Sequence, residues 1–135
     1  MSRRKSRKLA FQTLFQVDQV GADPEKAMQW LMEQTRTSEA EAVYTRSLIR
    51  GVMEHQDTID ELLREFSKSW KLERMFGVDR VILRMGSYEI LYGDVPAAIA
   101  IDEAIEITKA YGDEQSPAFV NAILDPVKKH HEQHS

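Results

Sequence analysis

From Lys8 to Val20 the apolar residues Ala10, Phe11, Leu14 and Phe15 recur at i, i+1, i+4 and i+5, one stripe of a helix that Gly21 ends. Asp23 followed by Pro24 offers an N-cap and a first-turn proline for a second helix with Ala27, Trp30 and Leu31 on one face. Ser38 and Glu41 have the spacing of a capping box, and Tyr44, Leu48, Ile49 and Val52 continue a third helix towards His55. Asp57 can cap a fourth, buried through Ile59, Leu62, Leu63 and Phe66, before the polar stretch Ser67 to Lys71 breaks the pattern. Leu72 to Met75 reads as a short helical turn. Val78 to Tyr92 then points Val78, Ile82, Met85 and Leu91 inward. Pro96 opens a helix carrying Ile101, Ala104, Ile105 and Thr108, and Gly112 sits just past its end, where a left-handed residue is expected. Ser116 and Pro117 start the last helix, through Phe119, Val120, Ile123, Leu124 and Val127. No segment alternates strictly enough for a strand. The expected fold is all-α, seven helices in two packed helical subdomains sharing a core, with one domain over 9–127, a basic arm over 1–8 and a polar His-rich tail over 128–135.

Composition narrows the function classes. A chain of 135 residues with 42% hydrophobic and 30% charged residues is the size and make-up of one globular domain. No apolar run reaches the ~20 residues that cross a bilayer. The charged N-terminus does not read as a secretory signal, and the absence of cysteine fits a reducing cytoplasm, so a cytoplasmic protein without membrane contact is expected. The net charge of −4 is unevenly spread: five of the 18 basic residues are Arg3, Arg4, Lys5, Arg7 and Lys8, and without them 13 basic face 22 acidic residues. An acidic body with a short cationic arm suits a polyanionic partner.

Candidate chemistry is sparse. Asp102, Glu103 and Glu106 cluster near a helix start, where a solvated acidic face is the reading preferred over an acid–base pair. His130, His131 and His134 lie beyond the last apolar residue, where nothing would fix a metal shell. His55 reads as a helix-end residue matched to the dipole. No glycine-rich phosphate loop or cysteine nucleophile is present. The expectation is a non-enzyme with no catalytic residues, metal or cofactor. The arm leaves two readings open. Cations at a helix start oppose its dipole and repel one another, so they serve either phosphate binding or solubility. Because they precede the apolar stripe, folding is expected to tolerate their removal.

Several stretches in order carry a resemblance: Ala10-Phe11-Gln12-Thr13-Leu14-Phe15 after a basic arm, Val78-Asp79-Arg80-Val81-Ile82-Leu83-Arg84-Met85 running to Tyr88-Glu89-Ile90-Leu91, then Val95-Pro96, Ala100-Ile101-Asp102-Glu103-Ala104-Ile105-Glu106 and Phe119-Val120-Asn121-Ala122-Ile123-Leu124-Asp125. Their succession resembles the NusB family from about Arg3 to Asp125. The resemblance implies a transcription antitermination factor that binds the single-stranded boxA element of ribosomal RNA leaders. Its implied partners are the ribosomal small-subunit protein also called NusE and the RNA polymerase antitermination complex. It assigns Arg3, Arg4, Lys5, Arg7 and Lys8 to RNA phosphates, Gln12 to a base edge, and Gln115 and Phe119 to the RNA side of the last helix. For Phe119 a core role and a stacking role both stand; Asn121 reads as buried. Phe15, Glu73 and Asp79 are implied to share an accessible NusE-facing surface. Two departures stand out: Gln115 where the family often has an acid, and Ala122 where a glycine is common. The alternatives are an accessory domain of an RNA-modifying enzyme and a structural helical homodimer.

Overall fold

The computed structural model describes residues 3–134. Among them the α-helices are α1 (Arg3–Val20), α2 (Pro24–Gln34), α3 (Glu39–Phe66), α4 (Gly77–Tyr92), α5 (Ala97–Tyr111) and α6 (Ser116–His134), with a 3-10 turn at Leu72–Arg74. Six helices replace the expected seven because α3 runs unbroken through Asp57, an exposed residue in mid-helix. A residue able to cap does not end a helix when no glycine or proline follows and Ile59 and Leu63 continue the buried stripe. His55 therefore lies in mid-helix, stacked on Tyr92 at 3.9 Å between ring centroids, and not at a helix end. The polar tail is likewise helical: α6 passes Pro126 and continues to His134, with Lys129 paired to Asp125 and the His130 ring edge-on to Phe66.

Local signals set most helix starts. The Asp23 side chain accepts from the Lys26 backbone N–H, with Pro24 in the first turn, and Ser38 and Glu41 form the reciprocal capping box. At α6 the capping carboxylate is Asp113, whose Oδ1 accepts from the Gln115 and Ser116 backbone N–H groups. Gly112 is not left-handed, at φ −88°. A Cβ there would meet the Ser116 side chain at 2.6 Å and the Thr108 carbonyl oxygen at 2.8 Å, so close approach is what this position requires. On α2 the buried pair is Ala27 and Met28, while Trp30 is turned to solvent.

α1, α2 and α3 pack together, as do α4, α5 and α6, and α4 also lies against α1 and α3. One hydrophobic core, from Phe11 and Leu48 to Ile82 and Leu124, runs through both sets. The central position of α4 explains its near-continuous burial. Gly86 lets it approach α6, since a Cβ there would fall 2.7 Å from Leu124.

Two ionic networks, the first buried and the second half-buried, fix α1 at both ends. Near its start the Arg7 guanidinium forks onto Glu89 of α4 at 2.8 Å for both bonds, and its third nitrogen reaches Glu103 of α5 at 3.3 Å. The Tyr44 hydroxyl of α3 donates to the same Glu89 at 3.1 Å. Burial, together with the Glu89 charge, pushes the Tyr44 hydroxyl up to about 12, so it remains a donor. At the other end Asp18 accepts from Arg80 and Arg84, and Arg84 also forks onto Asp60 of α3. Burial alone would raise the Asp18 carboxyl, but the two arginines outweigh it and hold it below the ordinary carboxylate range.

Arg7 is thus 5% exposed, contrary to the expectation that residues 1–8 are dispensable for folding. Arg7→Ala should destabilise the protein by about 3–5 kcal/mol in urea denaturation, because Glu89 is left buried and uncompensated; a loss below 1 kcal/mol would refute that role. The depressed Asp18 carboxyl contributes stability that is full above its unfolded pKa of about 4 and is lost as pH falls through the folded value. Asp18→Asn should accordingly be less stable than the parent at pH 7, with the gap narrowing by pH 3.

Candidate nucleic-acid interface

Residues 3–8 are the first turns of α1 and not a separate arm. Helical geometry distributes their side chains in three directions. Arg3 and Arg7, one turn apart, face the α3–α4 side, where Arg3 forks onto Asp94 at 2.9 and 3.2 Å and lies 4.1 Å over the Tyr44 ring. Lys5 turns to the start of α3, where it meets Glu41 and the Arg36 carbonyl. Arg4, Lys8 and Gln12, at i, i+4 and i+8, form a row along α5.

Arg4 and Lys8 of that row border a groove of about 280 Å³ between α1 and α5, lined by Arg4, Arg7, Lys8 and Lys109 as cations and by Glu103 and Glu106 as acids. Arg4 donates to Glu103 at 3.1 Å, and Lys109 pairs with Glu106 at 3.4 Å. Lys8 is exposed and enters no ion pair among the described residues. The acidic helix is therefore not simply solvated: Glu103, half-buried, receives both Arg4 and Arg7. Gln12 donates to the Tyr111 hydroxyl at 2.9 Å, which occupies one of its two amide hydrogens.

Beyond Tyr111 the chain turns into α6. Gln115 is exposed at this turn, and Phe119 is half-buried one helical turn on. Asn121 is exposed, contrary to the expectation of a buried hydrogen-bonding residue. Phe119 meets Trp70 edge-to-face, with centroids 5.8 Å apart and planes at 83°. The sequence pattern assigns Trp70 no role. Its one signal is that a tryptophan stands inside the polar stretch Ser67 to Lys71 that interrupts the helical pattern.

The expected partner surface is only partly assembled. Phe15 is half-buried and stacks on Phe11 with centroids 5.7 Å apart. Glu73 is exposed on the 3-10 turn, and its carboxyl is held below the ordinary range by the bond from Arg64 at 2.8 Å. Arg80 donates to the Leu72 and Met75 carbonyls as well as to Asp18, which brings this turn beside α1. Asp79 does not belong to that face. It is 6% exposed, its Oδ1 has no hydrogen-bond partner, and burial holds its carboxyl above the ordinary range. The reason is register: Asp79, Ile82, Leu83 and Gly86 fall on one stripe of α4, and all are buried.

Among the described residues no group of three or more metal-ligating side chains converges, and no helix is long and apolar enough to cross a membrane. The arrangement offers a cationic groove, an amide-bearing turn and an aromatic corner.

The transcription antitermination protein NusB of Syntrophomonas wolfei is 51% identical over 128 residues, covering 94% of this chain and 96% of that protein. The structure of NusB from T. maritima superposes with a TM-score of 0.90 at 38% identity, over 97% of this chain and 93% of that one. A crystal structure of the antitermination factors NusB and NusE in complex with double-stranded RNA shares the fold, with a TM-score of 0.86 at 24% identity, over 95% of this chain and 96% of that one. Residues 4–129 match the family as a whole, and the chain belongs to the NusB family.

Proposed function

We propose that this protein is a transcription antitermination factor that holds single-stranded boxA RNA of ribosomal RNA leaders together with the ribosomal protein NusE, within the antitermination complex of RNA polymerase. The observation that carries the RNA reading is the row Arg4, Lys8 and Gln12 on one face of α1, whose two cations line a groove that also contains Lys109. Guanidinium and ammonium groups on a helix suit phosphate oxygens, and an amide within the same row suits a base edge. Gln115, in the turn before α6, and Phe119 on α6 continue the path, the first as an adaptable hydrogen-bonding group and the second as a partly exposed ring. Arg3 and Lys5 add positive potential from the flanks, whereas Arg7 acts by holding the helix in place. Support for the NusE reading comes from family membership, and on this chain from Phe15 and Glu73, an exposed acid suited to a basic ribosomal protein.

The RNA path is tested by point substitution, since deleting residues 1–8 would remove Arg7 and unfold the start of α1. Arg4→Ala with Lys8→Ala should lower the slope of log K against log salt by about 0.7 for each phosphate no longer neutralised, with similar weakening for all RNA sequences. An unchanged slope in filter binding or anisotropy, with helicity intact, would remove this row from the interface. For the partner, Glu73→Lys should slow association with NusE at low salt and leave the circular dichroism spectrum as it is. Identical association rates for parent and variant in stopped-flow mixing would eliminate Glu73 from the contact.

A further inference from the structure

Trp70 is 61% exposed, yet it is held. It occupies the turn after α3, where its backbone N–H donates to the Ser67 carbonyl at 2.6 Å. Ser67 is itself buried, with its Oγ 2.7 Å from the Leu63 carbonyl and 3.2 Å from the Trp70 carbonyl. A large aromatic side chain is thus presented to solvent on a pinned backbone. Its ring stands at a right angle to Phe119, and together they form one corner of a groove of about 360 Å³ between the end of α3 and α6. Ala122 and Ile123 of α6 also line it, with Lys68 and the acid Glu65 from the α3 side.

We propose that this corner is a binding pocket for one unpaired nucleobase of single-stranded RNA, with Trp70 as its principal stacking face. The proposal rests on the RNA reading above and extends it to a residue and a groove outside the row on α1. Two perpendicular rings accept a flat, π-rich group: a base laid on one ring meets the other edge-on. The neighbouring charges favour RNA over an apolar peptide, since Lys68 and Lys71 flank Trp70 in the same turn and both are exposed. Phe119 joins this corner to Gln115 one helical turn earlier, which makes the pocket continuous with the proposed path. Base stacking is tolerant of sequence, so the Trp70 ring adds affinity without itself adding a salt-dependent contact.

The test uses the full chain with Trp30→Phe, which leaves Trp70 as the single tryptophan. Titration with a short single-stranded boxA-like RNA should quench its emission in step with binding. Trp70→Leu should weaken RNA binding about 5- to 150-fold with an unchanged salt slope, and Trp70→Phe, which keeps a flat ring, should recover most of the loss. An RNA series with one abasic nucleotide moved along the strand should contain one position that weakens binding to the parent and not to Trp70→Leu. RNA that binds the parent with normal salt dependence but ignores Trp70, in both emission and affinity, would overturn the pocket and leave the row on α1 standing. A Trp70→Leu variant that loses self-association in light scattering while binding RNA normally would also overturn it, assigning the corner to a second copy of the chain. RNA that does not bind the parent at all would instead overturn the RNA reading, and the pocket with it.

Discussion

The fork of Arg7 onto Glu89 is the contact on which the functional surface depends. Two charges removed from water are costly, and this pair is tolerable only because both guanidinium–carboxylate bonds are short and the remaining capacity is used by Glu103 and the Tyr44 hydroxyl. Four helices meet at one cation. Because that cation belongs to the first turns of α1, the helix cannot fray there, and Arg4 and Lys8 are displayed at a fixed rise of about 6 Å, four residues along an α-helix. A flexible arm would have to lose its conformational entropy on binding; here folding has already ordered these side chains' backbone.

The opposite end of α1 obeys the same logic. Asp18 draws Arg80 and Arg84 of α4 onto it, Arg84 reaches on to Asp60 of α3, and Arg80 holds the carbonyls of the 3-10 turn. Between the two networks the apolar contacts of Ala10, Phe11 and Leu14 complete the attachment. The consequence of so many ordered charges is that acids are committed to structure. Glu103 serves Arg7 inside and Arg4 outside, so a phosphate that engages Arg4 does so by exchange with a carboxylate already in place. Lys8, with no ion pair among the described residues, has no such exchange to make.

Most of the helices are legible in the sequence because their signals are local. Asp23 with Pro24, and Ser38 with Glu41, satisfy backbone N–H groups a few residues away, and such caps act in the same way whatever the rest of the chain does. Sequence and structure part where a local signal stands for a boundary. Asp57 can cap a helix but lies within one, and the residues after Val127 look like a tail but have Phe66 to pack against. Residue type and stripe assign Trp30 and Asn121 to the interior, and the neighbouring helices leave both outside.

By itself the sequence determined the all-helical class, the cap positions, the acidic body with its cluster of cations, and the ordered strings that mark the family. Each of these is a property of composition, of neighbours within about one helical turn, or of the order of short strings along the chain. Tertiary structure alone decided which cations are structural and which are available, since Arg7 and Lys8 are adjacent in the chain, yet Arg7 is buried on Glu89 and Lys8 is exposed. It also decided that Asp79 is buried and that Trp70, 49 residues before Phe119, shares a corner with it. Burial and pairing of a charge depend on elements distant in the chain: Arg7 has Glu89 82 residues away, and no pattern within the first turns of α1 carries that information.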